Sequence, residues 1–429
     1  LTNLDIEVIE YNSSLARELM RLLKLPADVY QNIISLLGLK HYSPLLHRLD
    51  SSSQRLVSCH ILNSMLDNGH QVGSPDQVEG VLKLVAVLLQ DASSQEASPT
   101  NAAAASSPNT DEDELDQEEF NEEQNLVARV IHLFVTENLN EQFLILSTAR
   151  KLFAAGGNKR FRFTIPPLVF QALQLALRYK ANAEDDADWQ KKVAKIFQFV
   201  HQSISILVKA EMPELSLRLF LQAALIVDQT EFENHESIAY EFFSQAFSLY
   251  EEEVSESRAQ LQAISLITST LCEMKCFGEE NHSPLRTQCA RAAVRLLKKP
   301  DQSRAVANTA HLFWSGKPRD KDGEPLHEGA RVLACLEKSL KLANDCMDVS
   351  AKVQLYADIL SHYIYFSQQG CSEITDEMIS THIKRIREII PDLEESEDSE
   401  LMSSHFTNTL AFISNKKSSD EPMFQNVQI

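Results

Sequence analysis

Strand alternation is missing from this chain almost everywhere, which removes sheets as its organising core. From about residue 121 to 390, apolar residues instead recur at helical spacing in blocks of about 15–20. Caps recur about every 40–50 residues. No apolar run reaches the ~18 residues of a membrane span, and no secretory pattern opens the sequence. Positive charge is scarce: 40 Lys and Arg face 61 Asp and Glu, for a net charge of -21. That balance argues against binding nucleic acid or an anionic membrane surface, although a locally basic patch remains open. A disulfide framework is also missing. The seven cysteines (Cys59, Cys272, Cys276, Cys289, Cys335, Cys346, Cys371) are odd in number and scattered through helical patterns, as expected of buried, reduced thiols in a cytosolic protein.

Catalytic signatures are equally scarce. No HExxH, GxSxG or dinucleotide fingerprint occurs. Gly156-Gly157-Asn158-Lys159 lacks the spacing and preceding strand of a phosphate-binding loop and reads as a helix stop. Cys272 and Cys276 lie one helical turn apart near His282, but no second ligand pair follows, so core packing is expected rather than zinc. Asp320-Lys321-Asp322-Gly323 begins like a calcium loop and lacks its closing ligands, so it reads as a turn. His311 and Trp314 sit near a helix end, where core and cap roles are expected. Neither a cofactor nor a metal is implied, and no enzyme.

What is present is a succession of helical patterns, and the expected fold is all-α: a HEAT-like solenoid of stacked helical pairs, none of which buries its face alone. Residues 1–91 form a first helical block. Ser13 caps its first helix, which carries Leu15, Leu19, Leu22 and Leu23 and stops before Pro26. Residues 92–123 are acidic and low in complexity, and are expected to be a disordered insertion. Residues 124–415 form a regular solenoid, and 416–429 a flexible tail. In the solenoid, Thr164 is expected to cap a helix with Pro166 in its first turn. Glu233-Asn234-His235 and Glu280-Asn281-His282 recur with Asn as N-cap, as repetition of one unit would produce. The opening Leu1, in place of Met, suggests a piece of a longer protein.

Two surfaces look used. The helix after Thr164 carries one apolar stripe of Leu168, Ala172, Leu175 and Tyr179, and a second of Phe170, Leu173 and Leu177. Either both stripes pack between repeats, or the second is an exposed anchor for another protein. Farther on, Arg291, Arg295 and Lys298 share one helix edge with Lys299 beside them, and Glu251, Glu252, Glu253 and Glu256 cluster at another helix end. These are solvated faces, or they pair between two copies of the chain.

Four strings carry a family resemblance: RFTIPPLVFQALQLALRYK (162–180), FENHESIAYEFFSQAFSLYEEE (232–253), ENHSPLRTQCARAAVRLLKKPDQSRAV (280–306) and HLFWSG (311–316). They resemble the vacuolar protein sorting-associated protein 35 family, the large scaffold subunit of retromer. The resemblance covers about 125–390 most closely. It implies the C-terminal half of a scaffold that sorts cargo from endosomes to the Golgi or the cell surface. The implied partners are vacuolar protein sorting-associated protein 29, which has a metallophosphoesterase-like fold, and vacuolar protein sorting-associated protein 26, through an N-terminal half not present here. A homodimer at the apex of coat arches is also implied, with sorting nexins and a membrane-bound GTPase as recruiters. It assigns Phe170, Leu173, Leu177 and Arg178 to the small subunit, and the acidic and basic clusters to self-assembly. Localisation follows as cytoplasmic, peripheral on the cytosolic face of endosomes, without direct membrane insertion. The competing reading is another HEAT-type scaffold, such as a nuclear-transport or phosphatase regulatory solenoid.

Overall fold

The computed structural model describes residues 9, 11, 13–90, 110–184, 186–321, 324–394, 396–418 and 423–429. Among them there is no strand, only a single bridge between Ile9 and Leu49. The chain divides into two compact units, Leu1–Leu219 and Phe220–Ile429.

Unit 1 contains α1 (Ser14–Tyr30), α2 (Ile33–Leu37), α3 (Tyr42–Leu46), α4 (Ser51–Asp67), α5 (Pro75–Leu84), α6 (Ala86–Leu89), α7 (Thr110–Val130), α8 (Leu139–Phe153), α9 (Asn158–Ala181) and α10 (Trp189–Lys209). The boundary with unit 2 falls inside α11 (Pro213–Thr230). Ser13 Oγ accepts the Ala16 N–H at 3.0 Å, as an N-cap should. The helix then runs through Pro26 to Tyr30 rather than ending before the proline. Helices pack on near neighbours: α1 on α4, α4 on α7, α5 on α8, and α9 on α7, α8 and α10. Most of α9 is therefore enclosed, and Ile165, Leu168, Val169, Ala172 and Ala176 are wholly buried. Each large apolar side chain withdrawn in this way stabilises the fold by about 1.5–3 kcal/mol.

Unit 2 contains α12 (His235–Glu252), α13 (Ser257–Glu273), α14 (Glu279–Arg295), α15 (Lys299–Trp314), α16 (Gly329–Asn344), α17 (Val349–Gln368), α18 (Asp376–Ile389) and α19 (Glu397–Lys417). From α12 to α17 each helix packs on the next, and α13 on α15, α15 on α17 and α17 on α19 besides, which is the neighbour pattern of stacked helical pairs. The expected all-α helical-repeat fold is what the structure has. All seven cysteines are free, and Cys276, Cys289, Cys346 and Cys371 are buried. Trp314 is buried against His327, the two rings tilted with centroids 4.5 Å apart, while His311 lies against Tyr365 and Phe366.

Several local expectations change. Residues 110–123, expected to be disordered, belong to α7, while 92–109 lie outside the described residues. Phe120, Gln124 and Val127 recur at helical spacing, and Gln124 Nε2 donates to the Leu88 carbonyl at 2.8 Å. Helix anchored by these contacts propagates back through the Glu-rich residues, which favour it. Of residues 416–429, expected to be a flexible tail, Lys416 and Lys417 end α19, and 423–429 are seated on unit 2 with Phe424 and Val427 buried. They lack periodicity because they form a turn rather than a helix.

The proline pair of α9 sits inside the helix. The helix begins at Asn158, and Thr164 is buried within it, its Oγ1 bonded to the Arg160 carbonyl at 3.2 Å. The glycine stop before it stands: Gly157 has φ +82°, and a Cβ on Gly156 would lie 2.3 Å from the Leu89 carbonyl oxygen. The repeated Glu-Asn-His strings are not equivalent caps. Asn234 precedes α12 in a left-handed conformation without a side-chain cap, and Asn281 lies in the first turn of α14, donating to Glu236 Oε1 at 2.9 Å.

Candidate functional site

Between its two ends α9 exposes a stripe of Phe163, Pro166, Phe170, Gln174 and Leu177, spaced i, i+3, i+7, i+11 and i+14, with exposed Arg162 and half-buried Gln171 and Arg178 beside it. Such spacing drifts slowly round a 3.6-residue helix and keeps one line facing outward. Phe170 is 43% exposed at its centre, and Leu177 and Pro166 are half-buried. Leu173 is 2% exposed, so the expectation that it forms part of an open anchor is corrected: it sits about 60° round the helix from Phe170, on the packed side. Arg178 is tied internally, its guanidinium donating to the Thr136 and Glu137 carbonyls at 3.0 and 3.2 Å. It fixes the end of α9 against the turn before α8 and offers little to a partner.

Sequence reasoning missed Phe163 and Pro166. Their signal was present in the same i, i+3, i+7 series, but a helix expected to start at Thr164 left Phe163 outside it. Phe163 meets the edge of Phe120 from α7 at 6.3 Å, and the Arg162 guanidinium lies 4.8 Å over its ring. The missing N–H groups of Pro166 and Pro167 leave the carbonyls of Arg162 and Phe163 without intrahelical donors. This end of the stripe thus presents acceptors beside apolar surface.

The charged clusters lie on unit 2. Short connections make neighbouring helices antiparallel, so the turns α12–α13, α14–α15 and α16–α17 emerge at one edge. The first carries Glu251, Glu252, Glu253 and Glu256, all exposed. Glu256 is also an N-cap, accepting from the N–H groups of Arg258 and Ala259 at 3.3 and 3.0 Å. Burial, with the Glu251 charge beside it, pushes the Tyr250 hydroxyl up to about 12. The expected single helix edge is corrected: α14 ends at Arg295 and α15 begins at Lys299, so the second turn carries exposed Arg295, Lys298 and Lys299, with Arg291 one turn back in α14. Between them Leu297 is 81% exposed, and in the third turn Met347 is 97% exposed. Neither was singled out from sequence, because an isolated apolar residue in a turn has no periodicity to mark it.

The cysteine pair is embedded in packing. The Cys272 thiol faces the His311 carbonyl at 3.6 Å, and the Cys276 N–H is held by Asp228 Oδ1 at 2.6 Å. Burial pushes Cys272 up to about 11; burial and the Asp228 charge push Cys276 up as well. Asp320 caps α14 by accepting the Glu279 N–H at 2.6 Å, while Asp322 and Gly323 lie outside the described residues. Among the described residues no helix is long and apolar enough to cross a membrane.

A family model described as vacuolar protein sorting-associated protein 35 matches residues 2–389. The chain is similar to vacuolar protein sorting-associated protein 35A of Arabidopsis thaliana, 35% identical over 422 residues, covering 96% of this chain and 50% of that protein. Vacuolar protein sorting-associated protein 35 of Schizosaccharomyces pombe is 30% identical over 367 residues, covering 85% and 40%. The Dictyostelium discoideum protein of that name is 29% identical over 392 residues, covering 88% and 47%. The chain spans about half the length of the curated relatives it matches.

Proposed function

Because the chain belongs to the vacuolar protein sorting-associated protein 35 family, we propose that it is a non-enzymatic scaffold segment of the retromer core, acting in sorting from endosomes to the Golgi and the cell surface. The family match over residues 2–389 carries the reading, and the helical-pair packing of each unit supports it. Stacked repeats offer long surfaces rather than enclosed reaction sites. The α9 stripe is the proposed platform for vacuolar protein sorting-associated protein 29, with Phe170 as its aromatic anchor. The acidic and basic turns of unit 2 are the proposed contacts between two copies in coat arches, with Leu297 and Met347 as apolar points among the charges.

Other partners are proposed to bind through parts of the longer relatives that this chain does not align with. Leu15, Leu22, Leu25 and Val29 form an exposed apolar stripe on α1, suited to preceding repeats of the longer relatives. Those repeats would hold vacuolar protein sorting-associated protein 26. Recruitment to the cytosolic face of endosomes would fall to sorting nexins and a membrane-bound GTPase.

Calorimetric titration with vacuolar protein sorting-associated protein 29 tests the proposal, comparing the unmodified chain with Phe170→Asp. Phe170 is 43% exposed, so its substitution leaves the helix packed. Loss of a desolvated aromatic anchor is expected to weaken binding about tenfold or more. Unchanged affinity would remove the stripe from the interface. Absence of binding by the unmodified chain would overturn the partner assignment.

A further inference from the structure

A groove on unit 2 is filled by a piece of the chain itself. Residues 423–429 form neither helix nor strand, yet Phe424 and Val427 are 4% and 2% exposed. Both join the buried cluster that holds Ile379, Ile383 and Ile386 of α18 and Phe406 and Ile413 of α19. The Val427 N–H donates to the Phe424 carbonyl at 3.1 Å, which closes a turn with the two buried side chains at its ends. Main-chain groups of the segment are captured by helix side chains. The Asn426 N–H donates to Asp376 Oδ2 at 3.0 Å, and the Gln428 N–H to Ser380 Oγ at 2.9 Å. Lys417 Nζ donates to the Val427 carbonyl.

This is how a groove holds a separate peptide: pockets take spaced side chains, and fixed polar groups take the backbone. The helices leave the space for it. α19 buries just Met402, Phe406 and Ile413 in 21 residues, so the segment, rather than a further helix, covers its apolar edge with α18. Nor does the segment fit without strain. Phe424 has φ +59°, a left-handed conformation that side chains disfavour, maintained by burial of its ring. Beside Gln428 and Ile429 a cleft of about 600 Å³ stays open, walled by Ser380, Thr381, Ile383 and Arg387.

We propose that the α18–α19 groove is a linear-peptide binding site, occupied in cis by residues 423–429. Its partner in trans is a short peptide with an aromatic residue followed three positions later by an aliphatic one. Asp376 and Ser380 receive the peptide's amides, and Phe424 and Val427 mark its two pockets. The tethered segment competes at high effective concentration, so the site opens when the segment leaves.

The test uses a fluorescein-labelled peptide, Met-Phe-Gln-Asn-Val-Gln-Ile, and the full chain with and without the paired substitutions Phe424→Ser and Val427→Ser. These remove the cis occupant and leave every groove residue in place. Anisotropy is expected to show saturable binding to the substituted chain, weaker by about tenfold or more for the unmodified chain. Binding should vanish for a peptide with both anchors changed to Ser. Hydrogen exchange on the unmodified chain gives a measurement independent of that variant. Excess unlabelled peptide should strip protection from the Asn426 and Gln428 amides. No binding by a folded substituted chain, equal binding by both chains, or exchange unaffected by the peptide would each overturn the proposal. A dimer of the unmodified chain that the paired substitutions abolish would assign the segment to a second copy and overturn the cis occupancy.

Discussion

Lowering the pH from 7 to 5 is expected to cost unit 2 about 6 kcal/mol of stability, because three of its histidines are buried neutral. His282, His362 and His382 are each pushed down to about 4, in every case by burial first. The Arg286 charge adds to the effect at His282, against a smaller opposing pull from the Leu271 carbonyl; His311 and Arg385 add to it at the other two. His311 Nε2 lies 3.3 Å from His362 Nδ1, so a proton on either ring would repel one on the other. In the unfolded chain a histidine titrates near ~6.5. Folded values below that mean the unfolded chain binds more protons, so stability is fully present above about 6.5 and is lost as pH falls towards 4. At pH 5 each residue contributes a loss of about 2 kcal/mol, and three together approach the whole stability of an ordinary domain. Burial lowers His311 in the same direction, while Asp358 is a counterweight: burial raises its carboxyl against the lowering influence of Arg304, which favours the folded form in acid. Urea titrations at pH 7 and 5 give the measurement. Trp314 lies in unit 2 and Trp189 in unit 1, so Trp189→Phe leaves fluorescence from unit 2 alone. His282→Leu should remove about one third of the pH dependence. A midpoint that does not move between pH 7 and 5 would refute the reasoning.

Two further outcomes are expected. Arg160 is 2% exposed in unit 1, donating to the carbonyls of Leu88, Gly156 and Gln90 at 3.0, 3.1 and 3.3 Å. Arg160→Met keeps the stem and leaves the Gly156 and Gln90 carbonyls short of a donor, at a cost of about 2 kcal/mol read from chemical denaturation; unchanged stability would count against the clamp. In sedimentation, Lys298→Glu with Lys299→Glu should abolish salt-sensitive self-association, and Glu251→Lys with Glu252→Lys on a second chain should restore it. Failure of the charge swap to restore association would remove the two turns from a shared interface.

Helix content was legible because periodicity of apolar residues is a local signal that each helix carries in its own residues. Caps such as Ser13 were legible for the same reason. Proline misled at both α1 and α9. Its cost is one missing donor and a local clash, which packing on either side outweighed, so both helices continue through it. The acidic run misled too, since composition averaged over 92–123 conceals Phe120, which with Gln124 and Val127 just beyond forms the stripe that anchors α7.

Residue order alone therefore determined that the chain is helical, that its helices come in repeating pairs, and which family it resembles, because each is written in spacing or in long matching strings. Tertiary structure decided how the second apolar stripe on α9 divides. All three of its residues satisfy the same 3.6-residue period, and Leu173 is buried and Phe170 exposed only because neighbouring helices approach α9 from particular sides. It also decided that residues 423–429 are seated rather than free. Two apolar residues across a turn have no sequence signature, and acquire one only when α18 and α19 leave a groove that fits them.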